Sequence, residues 1–77
     1  MQLTKGSVFK AGFRYFKVFG FGICPEKGEF FQIYEVEEIK DGYRKIYVQS
    51  GNPFNRNEDL MNNLLREGKI EFITFSE

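Results

Sequence analysis

Few side chains in this chain have a claim to chemistry. There is no histidine, so the commonest general base and neutral metal ligand is missing. Cys24 is the sole cysteine. A thiol becomes a nucleophile when a neighbour lowers its pKa. Pro25 and Lys27 do not make such a neighbourhood, and Cys24 reads as a small buried or half-buried loop thiol. Glu35, Glu37, Glu38 and Asp41 form an acidic cluster. Glu35 and Glu37 are two apart and share one side of a regular strand. Paired carboxylates there could hold a hard cation or transfer protons. No third or fourth ligand stands at a visible spacing, so the preferred reading is a solvated strand end that discourages edge-to-edge pairing. Gly20 and Gly22 are followed by Cys24 and Pro25 rather than by a helix, which is not a phosphate loop. The expectation is a chain that is not an enzyme and needs no cofactor or metal.

The strongest pattern is basic and aromatic. Lys10, Arg14 and Lys17 are interleaved with Phe13, Tyr15 and Phe19, and Tyr43, Arg44, Lys45 and Tyr47 repeat the mixture. Cations beside rings on a sheet are what single-stranded nucleic-acid platforms use, with stacking for the bases and Lys or Arg for the phosphates. The competing assignment is that the rings are core and the cations serve solubility. It is preferred for Phe13, Phe16 and Val18. Tyr15, Lys17, Phe19, Tyr43, Arg44, Lys45 and Tyr47 are left as the candidate binding residues. Asn52-Pro53-Phe54 matches a short ligand read by endocytic adaptor domains, but three residues match often by chance, and a turn with Phe54 tucked under a helix is the preferred reading.

These residues must be positioned by short elements. Val8 to Lys10 reads as a strand, followed by a tight connection at Ala11-Gly12. Phe13 to Phe21 is a second strand, holding five of the fourteen aromatic residues. Neither of its two faces is cleanly apolar, which calls for a strong bend, a bulge, or a second covered surface. Gly22 to Gly28 reads as a loop. Glu29 to Lys40 is a third strand whose apolar residues change parity from Phe31 and Ile33 to Tyr34 and Val36, then back at Ile39. Such a switch marks a bulge or sharp coil. Asp41-Gly42 predicts a two-residue type I′ hairpin turn. Tyr43 to Gln49 is a fourth strand, with Ile46 and Val48 inward.

Pro53 ends that ladder. A helix over about 57–67 follows, capped by Asn57 or Asn55, with Glu58 and Asp59 in its first turn. Leu60, Met61, Leu64 and Leu65 form its docking stripe, and Gly68 stops it. Ile70 to Phe75 is the last strand.

Seventy-seven residues make a single domain, residues 1–77, with a small core. Aromatics are 18% of the chain, carried by ten Phe and four Tyr with no Trp. Net charge is zero, which argues against strong non-specific nucleic-acid binding. The zero conceals blocks. Residues 1–24 and 43–56 are net basic; residues 25–42 and 57–77 are net acidic. No stretch has the length of a membrane span. The single cysteine and a start without an apolar run fit a cytoplasmic setting.

The element order, β-β-β-β-α-β with a tight hairpin between the third and fourth strands, resembles that of SH3-like small barrels. That resemblance implies a mostly-β (α+β) fold, a small SH3-like barrel or strongly coiled antiparallel sheet closed by one helix. The peptide-binding activity of signalling SH3 domains is not implied, since the Trp and the acidic loop they use are missing. Gly6, Phe9, Phe13 to Phe21, and Met61, Leu64, Leu65 and Gly68 are also similar to the opening and helix ending of small barrels attached to transposases. The expected function is a non-catalytic binding module. Its partner would be another protein or a second copy, met through an exposed aromatic surface. The alternative is nucleic acid on the basic-aromatic face.

Overall fold

Two glycine–aromatic pairs, Gly12-Phe13 and Gly42-Tyr43, reverse the chain and set the sheet. Both glycines have φ +65°, whereas no other residue type has positive φ. Positive φ at the first central residue alone is the type II′ pattern, whose twist suits a two-residue hairpin. The computed structural model describes residues 1–76. Its elements are β1 (Ser7–Ala11), β2 (Arg14–Cys24), β3 (Gly28–Asp41), β4 (Arg44–Gln49), β5 (Phe54–Asn57), α1 (Glu58–Arg66) and β6 (Glu71–Phe75).

The strands form one antiparallel sheet in the order β4-β3-β2-β1-β6. β5 pairs with β3 as well, over Phe30 to Ile33, while β4 takes the same side of β3 from Val36 onward. The sheet curls into a half-barrel. Among the described residues no pairing joins β6 to β4 or β5. β2 carries a bulge: Val18 faces Ile33 and Gly20 faces Gln32, leaving Phe19 as the extra residue. A bulge bends the strand and raises its twist. Gly20 and Gly22 follow because the β3 side chains lie over them. A Cβ on Gly20 would run into the Gln32 amide, and one on Gly22 into the Phe30 ring.

One face of the sheet holds the main core. Phe9, Val18, Phe31 and Ile33 are each at most 2% exposed, and Leu3, Met61 and Ile70 join them. Phe16, Phe54, Leu64, Leu65 and Phe72 pack around this cluster. The helix covers the Phe16 and Val18 side of β2. Asn57 caps it, its side chain accepting from the Leu60 N–H at 3.0 Å, with Glu58 and Asp59 favourable in the first turn. Gly68, at φ +74°, is the left-handed residue just past the end. The lead-in is pinned too: the buried Leu3 N–H donates to Asn62 Oδ1 at 2.8 Å.

Several expectations are corrected. Phe13 is not core; it sits at the β1–β2 turn and is 88% exposed. The second hairpin turns on Gly42-Tyr43, with Asp41 opposite Arg44, so it is not type I′ on Asp41-Gly42. That slip changes which residues face each other. Ile46 and Val48 are exposed rather than inward. The loop after β2 is confined to residues 25–27, because β2 runs on to Cys24. A fifth short strand precedes the helix. Leu60 drops out of the stripe at 51% exposed. The parity switch in β3 involves no bulge in its pairing with β4 or β5. It marks two apolar faces, with Phe31 and Ile33 on one and Tyr34 and Val36 on the other.

Candidate binding surfaces

Residues directly opposite on paired strands share a face, so the register sorts the candidate residues. Tyr15 faces Val36 and Lys17 faces Tyr34. Tyr47 faces Glu38, and Lys45 faces Lys40. Tyr15, Lys17, Lys45 and Tyr47 therefore lie together on the outer face, opposite the helix. The bulge residue Phe19 joins them by stacking on Tyr34, centroids 4.7 Å apart and planes within 16°. Lys10 also belongs there, its Nζ 5.5 Å from the Tyr15 ring centre. Tyr43 and Arg44 are not brought to this face. Tyr43 is fully exposed at the turn, and Arg44 projects on the helix side, beside Asp41 at 3.6 Å.

The rings of the outer face are only half exposed because they cover one another. Tyr15 and Tyr47 approach to 6.1 Å between centroids. The Tyr47 hydroxyl donates to Glu38 at 2.9 Å. Burial first, and this carboxylate second, push the Tyr47 phenol up to about 12. Val8 and Val36, 0% and 3% exposed, lie by register beneath this layer, outside the main core. Tyr34 and Val36 were legible as a parity switch, but their role as the floor of a second apolar face was not.

A second surface lies further along β3. β2 begins at Arg14, so β3 and β4 beyond Val36 form a ribbon of two strands. The molecule's longest dimension is 45 Å, while a helix of nine residues spans only about 14 Å. The helix cannot reach the ribbon. Ile39 and Ile46 face each other directly, each 39% exposed, with Val48 beside them at 46%. They continue the core face of the sheet as an uncovered aliphatic patch. The exposed apolar surface at this end is therefore aliphatic along the ribbon and aromatic only at the tips, Tyr43 and Phe13.

The acidic cluster is largely engaged. Arg14 clasps Glu35 with two hydrogen bonds, Nη2 to Oε1 at 2.6 Å and Nε to Oε2 at 3.1 Å. The hydrogen bond, and then the charge of Arg14, hold the Glu35 carboxyl below the usual carboxylate range. Glu38 meets Tyr47 and lies 3.7 Å from Lys45. Cys24 is half buried and borders a hollow of about 310 Å³ lined also by Lys27, Phe30, Asn55, Arg56 and Asn57. The N–H groups of Glu26 and then Lys27 lower its thiol pKa. Among the described residues no carboxylate lines that hollow. Phe54 of the Asn52-Pro53-Phe54 turn is half buried and meets Phe16 edge-on at 6.0 Å. No helix among the described residues is long and apolar enough to cross a membrane. Compared with known proteins, the chain matches no family model, no curated protein and no solved structure.

Proposed function

We propose that this chain is a non-catalytic binding module that works by protein–protein contact, most directly by self-association, through the ribbon of β3 and β4. The observation that carries the reading is the uncovered patch of Ile39, Ile46 and Val48 beside the fully exposed Tyr43. A two-stranded ribbon is marginal in water by itself. One that keeps aliphatic side chains in solvent gains from a partner that covers them. The open strand order, with no pairing of β6 to β4 or β5 among the described residues, supports reading the sheet as a small barrel-like fold with an edge free for such a contact. Light scattering on size-exclusion fractions over a wide concentration range tests the reading. A rising mass is expected; a strict monomer throughout would remove self-association.

A second reading has its own observation. Lys10, Lys17 and Lys45 share the outer face with Tyr15, Phe19, Tyr34 and Tyr47. Nucleic acid bound there would lose affinity steeply with salt. Lys17→Glu would weaken it at every sequence tested. An oligonucleotide titration at low salt that shows no binding excludes this reading.

A further inference from the structure

Resting on the self-association reading, we infer that the occupant of the β4 edge is the β4 edge of a second copy, paired antiparallel about a two-fold axis at Tyr47. Three observations fix this register. The first is hydrogen-bond parity. Antiparallel strands bond through alternate residues. Arg44 flanks the two-residue turn opposite Asp41, and the Ser50 N–H donates to the Glu35 carbonyl at 2.8 Å. Arg44, Ile46, Val48 and Ser50 thus spend their backbone groups on β3. Lys45, Tyr47 and Gln49 aim theirs outward at the free edge. Pairing about Tyr47 bonds these three to Gln49, Tyr47 and Lys45 of the second copy.

The second observation is the aliphatic patch. In this register Ile46 of each copy stands opposite Val48 of the other, on the same face as Ile39. Two half-exposed patches merge into one stripe of six side chains. The third is charge. The ribbon tip carries Arg44, whose side chain is 79% exposed. In this register Arg44 stands opposite Ser50 of the second copy. The next residue across that row is the second copy's Glu35, because Ser50 bonds to Glu35. The same face of β3 carries Glu37, opposite Val48. The basic tip of one copy comes down beside the acidic root of the other, and no two like charges are directly opposed. No proline or bulge interrupts this edge; of the devices that keep natural edges apart it carries only charge, at Arg44 and Lys45.

An edge pairing of this length sits at the small end of specific interfaces, which are weak and transient, so a concentration-dependent monomer–dimer equilibrium is expected. Two measurements on the intact chain test it. Amide exchange at low and high concentration should protect Lys45, Tyr47 and Gln49 as concentration rises, while Ile46 and Val48 are protected at both. Light scattering should then read the register. Ile46→Lys with Val48→Lys sets lysines opposite each other and is expected to weaken dimerisation by about tenfold or more. Ile46→Lys with Val48→Glu sets opposite charges face to face and is expected to dimerise measurably more tightly than the lysine pair, though less tightly than the wild type, whose aliphatic stripe it lacks. Association of the wild type that both double variants share equally, with Lys45, Tyr47 and Gln49 amides still exchanging freely, would overturn the β4 register and leave self-association standing. A wild type that stays monomeric would overturn both.

Discussion

The two hairpins of this protein begin alike and end differently. Each turns on a glycine at φ +65° followed by an aromatic residue and an arginine: Gly12-Phe13-Arg14 and Gly42-Tyr43-Arg44. In each the ring is in solvent, Phe13 at 88% and Tyr43 fully exposed. Behind the first turn, β1 and β2 are flanked by β6 and β3 and roofed by the helix, so Phe9 and Val18 disappear from solvent. Behind the second, β4 is an edge, and Ile39, Ile46 and Val48 remain exposed. Identical turn chemistry thus feeds a structural hairpin in one case and a free ribbon in the other. Local sequence sets where the chain reverses. The neighbours a strand acquires decide whether its apolar face stabilises the fold or remains available to a partner.

The largest expected difference between the hairpins is in stability, at concentrations where the chain is monomeric. Phe9→Ala should cost about 3–5 kcal/mol, comparable with the whole stability of a small domain. Ile46→Ala should cost about 1 kcal/mol or less. Urea denaturation followed by circular dichroism compares them, and equal losses would abolish the distinction. Next come the turns. A Cβ on Gly12 or Gly42 meets nothing within 4 Å, so each Gly→Ala change carries only the backbone cost, about 1–2 kcal/mol. For Gly12→Ala that cost should appear in global unfolding. For Gly42→Ala it should appear chiefly as faster amide exchange at Ile46 and Val48. The same global loss in both variants would mean that the ribbon unfolds with the body.

Two smaller effects depend on pH. Tyr47, pushed up to about 12, keeps its proton in the folded chain after the unfolded chain has lost it near about 10. Stability contributed by this phenol is therefore complete below pH about 10 and falls as pH rises toward about 12. Tyr47→Phe should remove that decline, along with the last phenolate absorbance step. Persistence of the step in the variant would assign it to another tyrosine. At the base of the ribbon, the Glu35 carboxyl is lowered by Arg14. Its contribution is present above the unfolded carboxylate pKa, about 4.3, and is lost as pH falls through the lower folded value. Arg14→Ala should flatten that part of the acid-unfolding curve and return the Glu35 titration, followed by NMR, toward the ordinary range. An unmoved Glu35 titration would show that its environment, not Arg14, sets it.

Much of the fold is legible in the chain because its signals are local. Asn57 with Glu58 and Asp59 marks the helix start, Gly68 its end, and alternating aromatic runs the long strands. The bulge in β2 was foreshadowed by two apolar faces that no flat strand can bury. The candidate site was legible in part: Tyr15, Lys17, Phe19, Lys45 and Tyr47 come together, while Arg44 and Tyr43 do not. Arg44 shares the parity of Ile46 and Val48 and so falls on the helix side of the ribbon; those two are exposed because the helix ends short of them. β5 carries little strand propensity in Phe54, Asn55, Arg56 and Asn57; it is a strand because the open side of β3 receives it. Leu3 and Asn62 gave no warning either, since the bond between them spans 59 positions.

The chain alone establishes a small mostly-β fold with one capped helix, two reversals that contain glycine and more apolar faces than one helix can cover. These follow from backbone preference and side-chain period, which act over a few residues. Which face goes uncovered, and which strand is left as an edge, depends on where a nine-residue helix lands in a molecule 45 Å long. That is a matter of length, register and long-range pairing. The Phe16 and Val18 face of β2 lies under the helix, and the Ile39, Ile46 and Val48 continuation of the same face lies beyond its reach.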